Sequence, residues 1–148
     1  MLTIHTKLID AILDQAHKDH PMETCGIIVG PKGGHRPLRL IPMRNAAQSS
    51  TFFTFDPQQQ LKTWREMETR NEVPIVIYHS HTESQAYPSR SDIEFAHEPQ
   101  CHYVIIATDS NYGDEIRSFR IINNSVTEER IHIVKHYPYQ EESAVLAV

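Results

Sequence analysis

The chain between residues 78 and 92 reads Tyr78-His79-Ser80-His81-Thr82-Glu83-Ser84-Gln85-Ala86-Tyr87-Pro88-Ser89-Arg90-Ser91-Asp92. The apolar run at 74–78 that leads into it is typical of a short buried strand. Alternate side chains of a strand share a face, so His79 and His81 point the same way, with their Cα atoms roughly 7 Å apart, while Ser80 points away. Pro88 closes the following loop, and residues 89–98 are predicted to form a helix.

Asp92 falls in the first turn of that helix, from which its carboxylate can turn back towards the two histidines. Two neutral imidazoles and one carboxylate suit Zn²⁺, and three protein ligands leave a coordination position for water. Two histidines on one face of a buried strand also need partners for their nitrogens. The pattern therefore predicts a catalytic zinc site formed by His79, His81 and Asp92, with one ion per chain.

Simpler interpretations of the same residues exist. The spacing Ser89-x-x-Asp92 is that of a capping box, in which the acid stabilises the start of a helix. A His-x-His pair in a strand is also often structural. The metal site is favoured because both features occur together at this spacing.

Glu23 lies just before a second predicted buried strand, at 25–29. No basic residue is near it in sequence, and taken alone it would be interpreted as a solvated loop acid. A zinc hydrolase, however, needs a base that accepts a proton from the water that the metal activates. Glu23 is therefore the leading candidate for that base.

The composition is that of an ordinary globular protein. With 148 residues, of which 39% are hydrophobic and 22% charged, the chain has the size of a single domain with a substantial core. The net charge of −5 and the lack of a basic cluster argue against a nucleic-acid partner.

The compartment is inferred from what the chain lacks. It has neither a signal-peptide pattern at its start nor an apolar run of membrane-spanning length, so we expect a cytoplasmic protein with no membrane partner. Cys25 and Cys101 are far apart in sequence and form no CxxC pair, which favours reduced thiols. The oligomeric state is not fixed by the sequence, and a homodimer stays open.

The remaining elements are predicted from periodicity. A helix at 7–19 has Thr6 as its N-cap, and a second helix begins at Asp56-Pro57 with Leu61, Trp64 and Met67 on its core face. Further strands are expected at 37–43, 51–55, 101–108, 115–122 and 126–134, the last two forming a hairpin. The tail at 137–148 is of uncertain order. The histidines with no strand-spaced partner are not expected to bind metal: His97, His102, His132 and His136.

The residues now quoted resemble the signature of the JAMM (MPN-plus) metallopeptidases. That signature is a glutamate followed at a distance by H-[ST]-H, seven residues, and S-x-x-D. Here it corresponds to Glu23, the stretch 79–81, the seven residues 82–88, and 89–92. The segment 20–26 resembles the H-P-x-E-x-C-G of the prokaryotic branch. Thr82, where many relatives have proline, favours an actinobacterial subgroup over the eukaryotic deubiquitinases.

The resemblance implies an α/β fold of the JAB/MPN type, similar to the cytidine-deaminase architecture, with a mixed central sheet flanked by helices. The domain would occupy residues 1–136. The resemblance also implies that Ser89 donates a hydrogen bond to the developing oxyanion and that Ser80 supports the site. A TIM-barrel hydrolase would need about 250 residues, and the deaminase motifs H-x-E and P-C-x-x-C do not occur.

The substrate, too, is an expectation from the resemblance. The actinobacterial subgroup removes cysteine from a ubiquitin-like sulfur-carrier protein, which implies a zinc hydrolase cutting after a C-terminal glycine in a thiocarboxylate-dependent route to cysteine. Alternatives are a peptidase that trims a carrier to its Gly-Gly end and an isopeptidase that removes ubiquitin-like modifiers. A non-enzymatic MPN scaffold usually lacks ligands that this chain retains.

Overall fold

A computed structural model describes residues 1–113, 115–137 and 147. The first strand, β1 (Leu2–His5), leads directly into helix α1 (Thr6–Asp19). The helix has an apolar face because Leu8, Ile12 and Ala16 recur at helical spacing and are fully buried. Its N-cap is His5, whose ring nitrogen accepts the Lys7 amide, and not Thr6 as predicted.

Strands β2 (Cys25–Pro31), β3 (Arg39–Met43) and β4 (Glu72–His81) form one half of the main sheet. Helix α2 (Pro57–Thr69) precedes β4 and begins at the predicted Asp56 cap, which accepts two amides. The second half contains β5 (His102–Ala107), β6 (Ile116–Ile122) and β7 (Ser125–Glu129). The short helix α3 (Arg90–Glu94) connects the halves.

The main sheet has six strands in the order β3-β2-β4-β5-β6-β7. Only the β4–β5 pair is parallel, so the sheet is mixed, as the resemblance implies. The last strand, β8 (Ile131–Val134), leaves this sheet and pairs in parallel with β1. The predicted strand at 126–134 is thus two strands that belong to different sheets.

The core has two layers, one on each face of the main sheet. On one face, α1 and β1 pack on Ile28, Val76 and Val104. On the other, residues of α2 and α3 pack on Ile77 and Ile105. The alternation of the strands produces these layers, because neighbouring residues such as Val76 and Ile77 point to opposite faces. The fold class predicted from the sequence, a mixed sheet with helices on both sides, is confirmed.

Three further local predictions are wrong. Residues 51–55 form an irregular segment with a single bridge between Asn45 and Phe55, not a strand. Helix α3 ends at Glu94, whereas a helix to residue 98 was expected. Leu61 is 53% exposed and does not belong to the buried face of α2, whereas the predicted Met67 is buried and Trp64 packs against the core.

The end of the chain contacts the domain at two described residues. The Tyr137 hydroxyl donates to the Pro37 carbonyl at 2.5 Å and accepts the His5 amide at 3.0 Å. Ala147 forms a parallel bridge with Arg39 on the outer edge of β3. The remainder of the predicted tail, 138–146 and 148, lies outside the described residues. No helix in the described part of the chain is long and apolar enough to cross a membrane.

Candidate metal centre

His79, His81 and Asp92 converge on one point at the end of β4. The Nε2 atoms of the two histidines are 3.1 Å apart, and Asp92 Oδ2 lies 3.1 Å from the first and 3.0 Å from the second. Tetrahedral zinc with bonds near 2.0 Å places its ligand atoms roughly 3.3 Å from one another. The three atoms are therefore arranged as a zinc ligand set requires.

The protonation of His81 supports this interpretation. Its Nδ1 is 2.8 Å from the Gln85 carbonyl oxygen. A carbonyl only accepts hydrogen bonds, so Nδ1 carries a proton, and in the neutral ring Nε2 presents a lone pair towards Asp92. A lone pair that faces a carboxylate is satisfied by a proton or a cation, and a backbone carbonyl behind the ring is the usual support of a metal-binding histidine. The residues present fit a metal ion.

The electrostatics of the cluster follow from burial and charge. Burial lowers the pKa of His79, which keeps the ring neutral. Burial opposes protonation of His81, but its hydrogen bonds with Asp92 and Gln85 outweigh it and raise the pKa. Burial would raise the pKa of Asp92, but the two imidazoles and the Ser89 amide outweigh it, so the pKa lies well below its usual range. Asp92 is thus a carboxylate that attracts a positive charge to this point.

Helix α3 begins with the predicted capping box. Ser89 Oγ accepts the Asp92 amide at 3.1 Å, and Asp92 Oδ2 accepts the Ser89 amide at 2.9 Å. Ser89 is exposed, and its Oγ lies 3.2 Å from Ser91 Oγ. Because the cap uses the oxygen only as an acceptor, the hydroxyl proton stays available for donation.

Glu23 lies one residue before Thr24 and two before β2, and it is buried, with 5% of its surface exposed. Burial raises the pKa of its carboxyl from 4.5 to about 8, since the charged form loses its hydration. The charges of His81 and Asp92 also act on it. The structure thus brings a carboxyl group that titrates near neutrality within electrostatic range of the ligand cluster.

Ser80 connects the two parts of the site. Its side chain points to the face opposite the histidines, as predicted, and its Oγ accepts the buried Thr24 amide at 2.8 Å. The Ser80 amide donates in turn to the Thr24 carbonyl at 3.1 Å. The register of the sheet places Cys25 opposite His79. These bonds hold the chain around Glu23 against the end of β4.

The loop at 44–56 completes the site, and sequence reasoning missed it. The Asn45 amide group donates to the carbonyls of Glu23 and Phe52, both at 3.0 Å, and the Glu23 amide donates to Ser49. The Phe53 ring stacks on His79, with ring centroids 4.4 Å apart. An asparagine that opens a polar loop is a turn signal, but nothing local indicates that this turn contacts Glu23.

Thr82, the departure from the proline of many relatives, has a structural role. It is buried, and its hydroxyl donates to the Ser50 carbonyl at 2.8 Å. The threonine therefore ties the loop at 44–56 to the metal-binding segment, a bond that proline cannot make.

Among the described residues, His79, His81 and Asp92 form the one cluster of three potential ligands within reach of a single ion. Other histidines pair with a single acid each. His17 pairs with Glu115 at 2.7 Å, and His102 pairs with Glu129 at 2.6 Å. Cys25 and Cys101 are buried free thiols, as expected.

Residues 5–122 match the family described as prokaryotic homologs of the JAB domain. That range contains all the residues of the predicted site.

The chain belongs to this family.

Two relatives of this JAB-family protein are named after an enzymatic activity. A CysO-cysteine peptidase from Mycobacterium bovis is 49% identical over 137 residues, which cover 93% of this chain and 94% of the relative. A desampylase from Haloferax volcanii is 29% identical over 123 residues, 76% of this chain and 88% of that protein. The solution structure of protein DSY2949 from Desulfitobacterium hafniense is also similar, with 30% identity, a TM-score of 0.77 and coverage of 92% and 94%. The resemblance drawn from the signature residues is confirmed.

Proposed function

We propose that the protein is a zinc peptidase that releases cysteine from the C-terminal glycine of a small ubiquitin-like sulfur-carrier protein. The protein is a peptidase of the JAB family. The observation that carries the finer proposal is the convergence of His79, His81 and Asp92 beside a buried Glu23, in a chain 49% identical to a CysO-cysteine peptidase.

His79, His81 and Asp92 would hold one zinc ion per chain. Zinc supplies Lewis-acid chemistry at such a site, because it polarises a carbonyl oxygen and makes water nucleophilic at neutral pH. The protein contributes the orientation of the ligands: Gln85 fixes the tautomer of His81, and the Ser89 amide fixes the carboxylate of Asp92.

Glu23 is proposed as the general base and then the general acid. Its carboxylate accepts a proton from the attacking water and passes it to the amine that leaves. A pKa near the working pH serves both steps. Burial raises the pKa of Glu23 to about 8, and a bound cation beside it would lower that pKa. Desolvation raises the pKa of Glu23 and the neighbouring positive charge lowers it, so together they keep this pKa near pH 7.

Ser89 and Ser80 are proposed in supporting roles. The exposed Ser89 hydroxyl can donate to the carbonyl oxygen of the substrate as negative charge develops there. Ser80 is a positioning residue, since its Oγ holds the Thr24 amide and so sets the place of Glu23. We further propose a catalytic domain at 1–136 and a cytoplasmic location, in keeping with a carrier-protein substrate.

The test is the intact mass of a purified carrier bearing a C-terminal cysteine. Wild-type protein should remove the mass of one cysteine residue, and chelator treatment should prevent this. Glu23→Gln should lower the rate by about 10²- to 10⁴-fold with unchanged zinc content, and Glu83→Gln, at an exposed acid nearby, should not. An intact carrier with zinc bound would contradict the proposed substrate, and absence of bound zinc would contradict the metal site.

The desampylase relative favours a second candidate, an isopeptidase acting on a modifier attached to a lysine. It makes the same use of the ligand set and Glu23 and differs in the leaving amine. Cleavage of a carrier–lysine isopeptide at least as fast as the carrier–cysteine bond would select it.

A further inference from the structure

A cavity of about 270 Å³ opens beside the proposed ligands, between the main sheet and helices α2 and α3. His79 and Asp92 form part of its wall. Six aromatic side chains line it: Phe52, Phe53, Phe55, Trp64, Phe95 and Tyr103. The proposed mechanism uses none of them.

The inner wall of the cavity is apolar. Ile77, Ile105 and Ile121 contribute to it from the neighbouring strands β4, β5 and β6. Glu98 is the acidic group among the other lining residues, apart from the proposed ligand Asp92. An apolar wall of this kind attracts apolar side chains, and the carboxylate of Glu98 disfavours acidic ones.

The rim of the cavity is aromatic and open to solvent. Phe52 and Phe95 are 37% and 61% exposed, and their rings meet edge to face with centroids 6.3 Å apart. Phe52 comes from the loop at 44–56 and Phe95 is the C-cap of α3. Two exposed phenylalanines at the mouth of an apolar cavity mark a place where a ligand covers them.

The size of the cavity limits what it can hold. An apolar cavity of about 150 Å³ is large enough to bind benzene. The present cavity is larger, so it has room for a benzyl or long aliphatic side chain and not only for the thiol of cysteine.

We propose that this cavity binds the side chain of the residue released by cleavage, and that it accepts large apolar residues such as phenylalanine, leucine and methionine as well as cysteine. The inference rests on the proposed function, in which the residue on the acyl side is a glycine. Glycine has no side chain, so the residue on the amine side supplies the occupant of a side-chain pocket next to the ligands.

The test is a series of carriers that differ only in the single residue after the terminal glycine: Cys, Met, Leu, Phe, Ser and Asp. We expect kcat/KM for Phe, Leu and Met to equal or exceed that for Cys, and to exceed those for Ser and Asp by about tenfold or more. Cleavage of the Cys carrier with tenfold poorer cleavage of Phe, Leu and Met would overturn the inference and leave the proposed function standing.

A matched pair of variants tests the location. Gln60 is exposed on α2 and lines the cavity, so Gln60→Trp should narrow it and lower kcat/KM for Phe more than for Cys. Leu61 is the neighbouring exposed residue and does not line the cavity, so Leu61→Trp should leave the ratio of kcat/KM for Phe to kcat/KM for Cys unchanged. If this ratio were the same in both variants, the side chain of the released residue would bind outside the cavity.

Binding can also be followed without catalysis. Trp64 is the single tryptophan of the chain and lines the cavity. Titration of wild-type protein with the dipeptide Gly-Phe should change its fluorescence at lower concentration than Gly-Asp does. If no carrier is cleaved, the proposed function fails, but this titration still tests whether the cavity binds apolar side chains. An unchanged fluorescence signal would overturn that inference.

Discussion

One oxygen of Asp92 makes three contacts. Oδ2 accepts the Ser89 amide and also faces the Nε2 atoms of both histidines. The cap therefore orients the carboxylate before any ion arrives, which lowers the entropy lost on binding. The two interpretations of Ser89-x-x-Asp92, helix cap and ligand, describe the same atom in two roles.

At Ser89, two functions can be separated by two substitutions. Ser89→Ala removes the hydroxyl that caps α3 and that we propose as the donor to the oxyanion, so we expect a rate loss of about 10²- to 10³-fold and a stability loss of about 1 kcal/mol. Ser89→Gly should lower the rate by the same factor but lower the free energy of unfolding by only a few tenths of a kcal/mol. Initial rates and thermal unfolding measure the two effects.

The outcome that would contradict this assignment is a rate loss in the alanine variant alone. Catalysis would then depend on the cap and not on the hydroxyl.

Single residues differ in how far sequence predicts them. The convergence of His79, His81 and Asp92 follows from strand alternation and a short loop, and both are local features. The stacking of Phe53 on His79 joins residues 26 positions apart through a loop of no regular structure. Local patterns contain no information about such a contact.

Helix α3 shows how neighbouring signals compete. The capping box begins it at Arg90, and Phe95 ends it as the C-cap, three residues before Glu98, whose helical conformation Pro99 disfavours. Strands β7 and β8 show a different limit, because they follow one another directly across Arg130 while their partner strands change. Alternation predicts a strand but not the sheet to which it belongs.

Strands β5, β6 and β7 are joined by one acid. Glu129 Oε2 is 2.6 Å from His102 Nδ1 and accepts the Ser118 hydroxyl at 2.8 Å. Burial would raise the pKa of Glu129, but these partners outweigh it and lower the pKa to about 2. A carboxyl whose folded pKa is depressed stabilises the protein above its unfolded pKa of about 4.3, and that contribution is lost as the pH falls through about 2.

We therefore expect Glu129→Gln to lower the free energy of unfolding at pH 7 by roughly 1–3 kcal/mol, and the difference from wild type to shrink between pH 4 and pH 2. Urea unfolding of both proteins in chelator measures it. Glu128→Gln is the control, since that acid pairs with Arg117 at the surface and should cost less than about 1 kcal/mol. A difference that persists unchanged to pH 2 would contradict the role of the charge.

The whole molecule brings together three distant parts of the chain. Glu23 precedes β2, the histidines end β4, and Asp92 lies in α3, while the loop at 44–56 contacts Glu23 and His79. Strand existence could be predicted from apolar runs, but the order β3-β2-β4-β5-β6-β7 depends on pairings between distant segments. The cavity beside the ligands arises from that order and from the packing of α2, so no motif could have indicated it.

Metal binding should stabilise the whole fold, because the ligands come from different elements. At a free zinc concentration about 1,000 times its Kd, binding adds about 4 kcal/mol to the free energy of unfolding. Chelation should therefore lower Tm by roughly 10 °C. Asp92→Asn, which preserves a capping side chain, should show no response to zinc, whereas Glu23→Gln should respond like wild type.

Differential scanning calorimetry with and without chelator measures these shifts. An equal response of Asp92→Asn and wild type would place the ion elsewhere.

The two outer edges of the main sheet are closed in different ways. On β3, the Leu40 amide donates to the Ala147 carbonyl at 3.0 Å, and the Ala147 amide donates to the Leu38 carbonyl at 2.9 Å, so Ala147 covers part of this edge. On the other side, β7 is short and carries the exposed charge of Glu128. Unpaired strand edges are where sheets of different molecules join, and both coverage and charge oppose this. The protein is thereby protected against fibril-like growth through the two edges of its main sheet.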